Sequence, residues 1–146
     1  MDDYLILKRQ HQKELNDFPL FFAFTEEQFN EGMKKFGLTP GDTDKIYKLG
    51  NSGGFMLCTD SPRFNEMYNR HRQEKEEATV ADTKGDGYIY QMFLYELANH
   101  EYGYTGNVTD TLEALGLTEE KVENSKSLSF GLNKAIKEIR RREEMA

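Results

Sequence analysis

A chain of 146 residues with 10 Phe, 8 Tyr and one Cys has a single domain's length and enough aromatic area for a core, which excludes a disordered composition even at 31% charged residues. The single Cys58 excludes an intrachain disulfide. The net charge of −7 is uneven: Lys126, Lys134, Lys137, Arg140, Arg141 and Arg142 outweigh three glutamates after residue 125, which leaves +3 there and −10 on the rest. An acidic body repels a phosphate backbone and suits a basic protein partner, so nucleic-acid binding is not expected. No run reaches membrane-spanning length and no signal-like segment opens the chain, so a cytoplasmic protein is expected.

Residues 2–17 place Leu5, Leu7, Leu15 and Phe18 among charges, the pattern of an amphipathic helix that stops before Pro19. The run Leu20-Phe-Phe-Ala-Phe24 is short and aromatic, suited to a strand. Thr25-Glu-Glu-Gln28 is a capping box, and its helix puts Phe29, Met33 and Phe36 on one face before Gly37 stops it. Pro40-Gly-Asp42 turns the chain, and residues 45–49 and 55–59 flank Gly50-Asn-Ser-Gly-Gly54 as the arms of a β-hairpin. Two strands alone are marginal, so the hairpin must pack on helices or recruit residues 20–24.

Ser61-Pro62 starts a helix that runs through Phe64, Met67, Tyr68 and His71 into the charged stretch 72–77. Residues 78–87 read as a loop or frayed continuation, and 74–85 as mobile. The stretch from Asp86 to Gly103 is the organising element. Ile89, Tyr90, Phe93, Leu94 and Leu97 cover more than half of a helical wheel, and Tyr88, Met92 and Tyr95 most of the remainder. A helix apolar nearly all round is a buried one. It is expected to end near Tyr102, with Gly103 as its left-handed stop. A short helix follows at 111–115, Gly116 stops it, and Thr118 caps the next with Glu119 and Glu120 at its positive end. Met33-Lys-Lys-Phe-Gly-Leu-Thr39 and Leu112-Glu-Ala-Leu-Gly-Leu-Thr118 share one helix-stop chemistry and are not an internal repeat. The last helix, at 127–145, carries Leu128, Leu132, Ala135, Ile136 and Ile139 on one face and basic residues in its last turns.

Four constellations bear on function. Glu96 and His100 lie four apart on one helix face in apolar surroundings, where an acid–base pair is tuned for proton transfer but where a buried hydrogen-bonded pair is also at home. Asp82-Thr-Lys-Gly-Asp-Gly87 starts like an EF-hand loop, but Lys84 stands where an oxygen ligand is needed and Phe93 where a bidentate Glu is needed. It reads as a turn feeding the helix. Cys58, His71 and His100 have no paired metal-ligand spacing, and residues 50–54 lack both the P-loop and the dinucleotide signature, so no metal and no cofactor is expected. Residues 109–142 imitate a helix-turn-helix, but the second helix would present Glu119, Glu120 and Glu123 to phosphates.

Phe18-Pro-Leu-Phe-Phe-Ala-Phe-Thr-Glu-Glu-Gln-Phe-Asn-Glu-Gly-Met33, Gly53-Gly-Phe-Met-Leu57, and Tyr95-Glu-Leu-Ala-Asn-His-Glu-Tyr102 with Thr109-Asp-Thr-Leu-Glu-Ala-Leu-Gly-Leu-Thr118 resemble small uncharacterised proteins of gut Firmicutes encoded on prophages or conjugative elements. The resemblance spans most of the chain. It implies an accessory role inside the bacterial cell and carries no catalytic residues.

The expectation is an α+β fold over 1–146 as a single domain, mostly helical, with a central buried helix and a small antiparallel sheet. The function expected is that of a non-enzymatic, acidic interaction protein of a mobile element, with Glu119, Glu120 and Glu123 as the partner-binding acids. The alternatives are a small enzyme using Glu96 and His100, and a DNA-binding regulator using 109–142.

Overall fold

A computed structural model describes residues 2–145. The elements are mostly helical, with one small antiparallel sheet, in the order α1 (Asp3–Asp17), β1 (Phe21–Phe22), α2 (Glu26–Lys35), β2 (Ile46–Leu49), β3 (Gly54–Leu57), α3 (Ser61–Ala81), α4 (Tyr88–Asn99), α5 (Tyr102–Thr105), α6 (Thr109–Ala114), α7 (Glu119–Glu123) and α8 (Lys126–Glu144). The chain packs as two compact units, one His11–Arg72 and the other made of what precedes and follows it. The fold is therefore α+β with α4 as the buried central helix.

In the unit of residues 11–72, capping and turn chemistry set the elements. Thr25 Oγ1 accepts from the Gln28 amide at 3.1 Å, while Gln28 Oε1 reaches one residue beyond the cap to the Phe24 amide at 2.8 Å. At the other end of α2, Gly37 has φ 72° and the Leu38 amide donates to the Met33 carbonyl at 2.9 Å, a helix stop that needs glycine's left-handed freedom. The hairpin does recruit the aromatic segment: the strand order is β1-β3-β2, with Phe21 opposite Phe55 and Lys48 opposite Phe55 on the other side. Residues 58–60 form a 3-10 turn, so β3 is shorter than expected. Phe21 stacks on Phe55 at 5.1 Å and meets Phe29 and Phe36 edge-on, with Met33 and Met56 fully buried beside this cluster. A Cβ on Gly32 would overlap the Phe21 ring, so α2 sits on the sheet only because position 32 has no side chain. His11 and His71 stack at 3.8 Å in the same unit, and Glu14 pairs with Arg70 and, at 3.5 Å, with His71.

In the other unit, α4 buries Tyr88, Ile89, Met92, Phe93, Glu96 and Leu97, a continuous stripe at i, i+4 spacing. Packed against it are Tyr4 of α1, Leu112, Val122, and the Leu128, Ala135 and Ile139 face of α8. The approach of α8 is close: a Cβ on Gly131 would lie 2.5 Å from Ile89 Cγ2 and 2.7 Å from the Gly85 carbonyl. The second Gly-Leu stop repeats the first, with Gly116 at φ 68° and the Leu117 amide donating to the Leu112 carbonyl at 2.9 Å.

One expectation is refined here and a second corrected. The first concerns residues 78–87, read as a loop or a frayed continuation, which divide into both. The helix α3 continues through Ala81, with Ala78 packed on the core, and the turn after it is pinned by Asp82. The Asp82 carboxylate accepts from the amides of Gly85, Gly87 and Ile89, each at 3.0 Å. That carboxylate satisfies the start of α4 and closes the turn expected to feed it. The second concerns the end of α4, which stops at Asn99. The left-handed residue is Glu101 (φ 55°), and Gly103 lies inside α5, where a Cβ would overlap a Glu143 carboxylate oxygen.

Candidate functional site

Glu96 lies on the inward stripe of α4 and is only 5% exposed. A buried carboxylate must be paired or hydrogen-bonded, since isolated burial costs several kcal/mol. The chain supplies three partners. The Tyr4 hydroxyl donates to Oε1 at 2.7 Å, Lys8 Nζ lies 3.4 Å from the same oxygen, and His100 Nε2 lies 3.4 Å from Oε2. Tyr4 and Lys8 are four apart on α1, one above the other, so a single helix face delivers both. Lys8 Nζ also lies 5.3 Å from the Tyr95 ring centre and 5.8 Å from that of Tyr4, within cation–π range. The backbone is fixed too: the Tyr4 amide donates to Gln91 Oε1 at 3.2 Å, and the fully buried Thr111 hydroxyl donates to the Glu96 carbonyl at 3.4 Å.

The electrostatics agree with this geometry. Burial, reinforced by the hydrogen bond to Glu96, holds the Tyr4 hydroxyl protonated far above the usual phenol range. Burial alone pushes Tyr88, edge-on to Tyr4 at 5.6 Å, up to about 12. Tyr4 is therefore a fixed donor at neutral pH. A general base must be able to reach the proton it abstracts. Both oxygens of Glu96 already face groups of this chain, and of these Lys8 and His100, with side chains 47% and 28% exposed, reach solvent. The cluster ties α1 to both ends of α4 and orders the helix in place.

The pairing of Glu96 with His100 stands as the sequence spacing predicts, but Tyr4 and Lys8 were not legible as its partners. The signal in the sequence is the i, i+4 pair of an aromatic and a cation on the first helix, set beside the apolar pattern of Leu5, Leu7 and Leu15. His71 and Cys58 do not join His100: His71 lies in the unit of residues 11–72 against Glu14, and Cys58 is exposed with its thiol 3.7 Å from the Asp44 carbonyl. Among the described residues no group of three or more His, Cys, Asp or Glu is arranged to hold a metal ion. The Asp82 oxygens are occupied by amides.

Glu119, Glu120 and Glu123 have the opposite surroundings. All three are exposed on α7, a helix of 5 residues that Thr118 caps through the Lys121 amide at 3.2 Å and Val122 anchors in the core. Among the described residues none of the three forms an ion pair. At the far end of α8, Glu138 is bidentate to Arg141, at 2.6 and 2.8 Å, and also meets Arg142 at 3.2 Å. The bond from Arg141 holds its carboxyl down to about 2. Part of the basic end is thereby neutralised by its own helix. No described helix is long and apolar enough to cross a membrane.

Neither a curated protein nor a solved structure matches this chain. A family model does, over residues 3–138, which runs from α1 into α8, stops before Arg140, and takes in the Glu96 cluster and α7 alike. The chain belongs to the family of unknown function DUF7659.

Proposed function

We propose that this protein is a non-enzymatic interaction protein whose acidic surface binds a basic protein partner, in the cytoplasm of a bacterium that carries it on a mobile element. The observation that carries the reading is the contrast between its carboxylates. Glu96, with His100 the one acid–base pair that the sequence offers, is buried and engaged on both oxygens. Glu119, Glu120 and Glu123 are exposed on α7. Exposed acids add little to stability but steer a basic partner and set its register. The mobile-element setting rests on the resemblance of residues 18–33, 53–57, 95–102 and 109–118 to prophage and conjugative-element proteins.

The regulator reading has less support. The second helix of the helix-turn-helix imitation has 5 residues and three exposed glutamates, too short and of the wrong sign for a groove. The test is partner affinity measured against salt for wild type and for Glu119→Lys/Glu120→Lys/Glu123→Lys. Weaker binding with a flatter salt dependence supports the proposal. Unchanged affinity, or a turnover lost in a stably folded Glu96→Gln protein, overturns it.

A further inference from the structure

The helix α8 has two faces. Leu128, Gly131, Ala135 and Ile139 are buried on the side that meets α4. On the opposite side Lys126, Phe130, Asn133, Lys137, Arg140 and Glu144 recur at alternating steps of four and three from the first turn to the last. That is the spacing of a coiled-coil seam, which keeps one stripe of a helix turned toward a partner helix. All six are exposed, and the stripe includes the large apolar ring of Phe130, half of it open to solvent. The neighbouring Arg141 and Arg142 are held by Glu138, whereas Lys126, Lys137, Arg140 and Glu144 form no ion pair among the described residues.

We propose that this stripe docks against the same stripe of a second copy of the chain, with the two α8 helices antiparallel about a twofold axis. The order of the charges selects that occupant. Read in opposite directions, Lys126 falls opposite Glu144, Phe130 opposite Arg140, and Asn133 opposite Lys137, and the twofold axis makes each pairing twice. Lys126 and Glu144 are opposite charges, the Phe130 ring takes the Arg140 guanidinium on its face, and the Asn133 side-chain oxygen accepts from Lys137. The Asn133 and Lys137 step fixes the register at a cost in stability, as isolated polar positions in such seams do. A parallel pair would set each charge against its own copy. A nucleic acid would meet Glu144 and the exposed acids of α7, and a basic protein would meet Lys126, Lys137 and Arg140. This dimer is independent of the partner proposed for the acidic surface.

Sedimentation equilibrium of the full chain tests the dimer. Between about 1 µM and about 1 mM the mass of the wild type is expected to rise from 17.0 kDa toward twice that value. Phe130→Ala is expected to weaken the dimer about tenfold through the two ring–guanidinium contacts it removes. Lys126→Glu and Glu144→Lys are each expected to weaken it about tenfold. The double variant Lys126→Glu/Glu144→Lys is expected to restore it, because the exchanged charges again face each other. Each reversal suits the helix dipole at its own end, so a lost dimer is not a lost α8, and circular dichroism checks this. A wild type that stays monomeric, a dimer indifferent to Phe130→Ala, or a double variant no tighter than the single ones overturns the proposal. A monomer that binds poly(dT) or phosphatidylserine vesicles through Lys126 and Lys137 overturns the second copy as the occupant.

Discussion

Glu96 lies on the inward stripe of α4 with Tyr4, Lys8 and His100 on its oxygens, whereas Glu119, Glu120 and Glu123 project from α7 into solvent. The residue type is the same and the unit is the same. What differs is the surroundings, and they decide the role. A buried carboxylate is held by partners because leaving it alone is too costly. A surface carboxylate contributes almost nothing to the fold and is free to be read by another molecule. The Glu96 network belongs to the stability of the helical unit, and α7 belongs to its surface.

That division can be broken at several places. The wall around Glu96 should be the most sensitive. Phe93 is fully buried on α4, and Phe93→Ala is expected to cost about 3–5 kcal/mol in chemical denaturation. A loss below about 1 kcal/mol, close to the surface range, would remove α4 from the core. Gly131→Ala comes next: its new methyl would meet Ile89 and the Gly85 carbonyl, for an expected loss of about 1–3 kcal/mol by the same measurement. His100→Ala is expected to destabilise by about 1–3 kcal/mol through the oxygen it leaves unpaired, and Glu96→Gln by less, because the amide oxygen still accepts from Tyr4.

The tyrosines give a pH test with a definite sign. Tyr4 and Tyr88 are both raised in the folded state, so their contribution is complete below the ordinary tyrosine value of 10 and is lost as pH rises beyond it. Stability should fall between pH 10 and 12, and Tyr4→Phe should flatten that fall. An equally steep fall in Tyr4→Phe would mean the hydroxyl is not held protonated. The smallest effect on stability is expected at α7, where reversing Glu119, Glu120 and Glu123 should change it by no more than about 0.5 kcal/mol per site.

The elements that rest on local chemistry were legible in the sequence. Thr25, Gly37, Gly116 and Thr118 each mark a helix end where the structure has one, because caps and left-handed stops involve residues a few positions apart. The central helix followed from Ile89, Phe93 and Leu97 in the same way. What was missed depends on distant neighbours. The stretch 82–87 was legible as a turn feeding the helix, but not the Asp82 carboxylate that collects three amides there. Gly103 looks like a helix stop, yet position 101 takes the left-handed conformation and Glu143 comes close to Gly103. In the candidate site the i, i+4 spacing found His100, since it lies on the same helix as Glu96. Tyr4, 92 positions away, was found only by folding the chain.

The most direct test of the account is affinity purification from the native host with quantitative mass spectrometry, comparing wild type, Glu96→Gln and the α7 triple reversal. The account predicts one stoichiometric, basic protein retained equally by wild type and Glu96→Gln and lost from the reversed protein. An acidic partner, or a partner held as tightly by the reversed protein as by wild type, would contradict it.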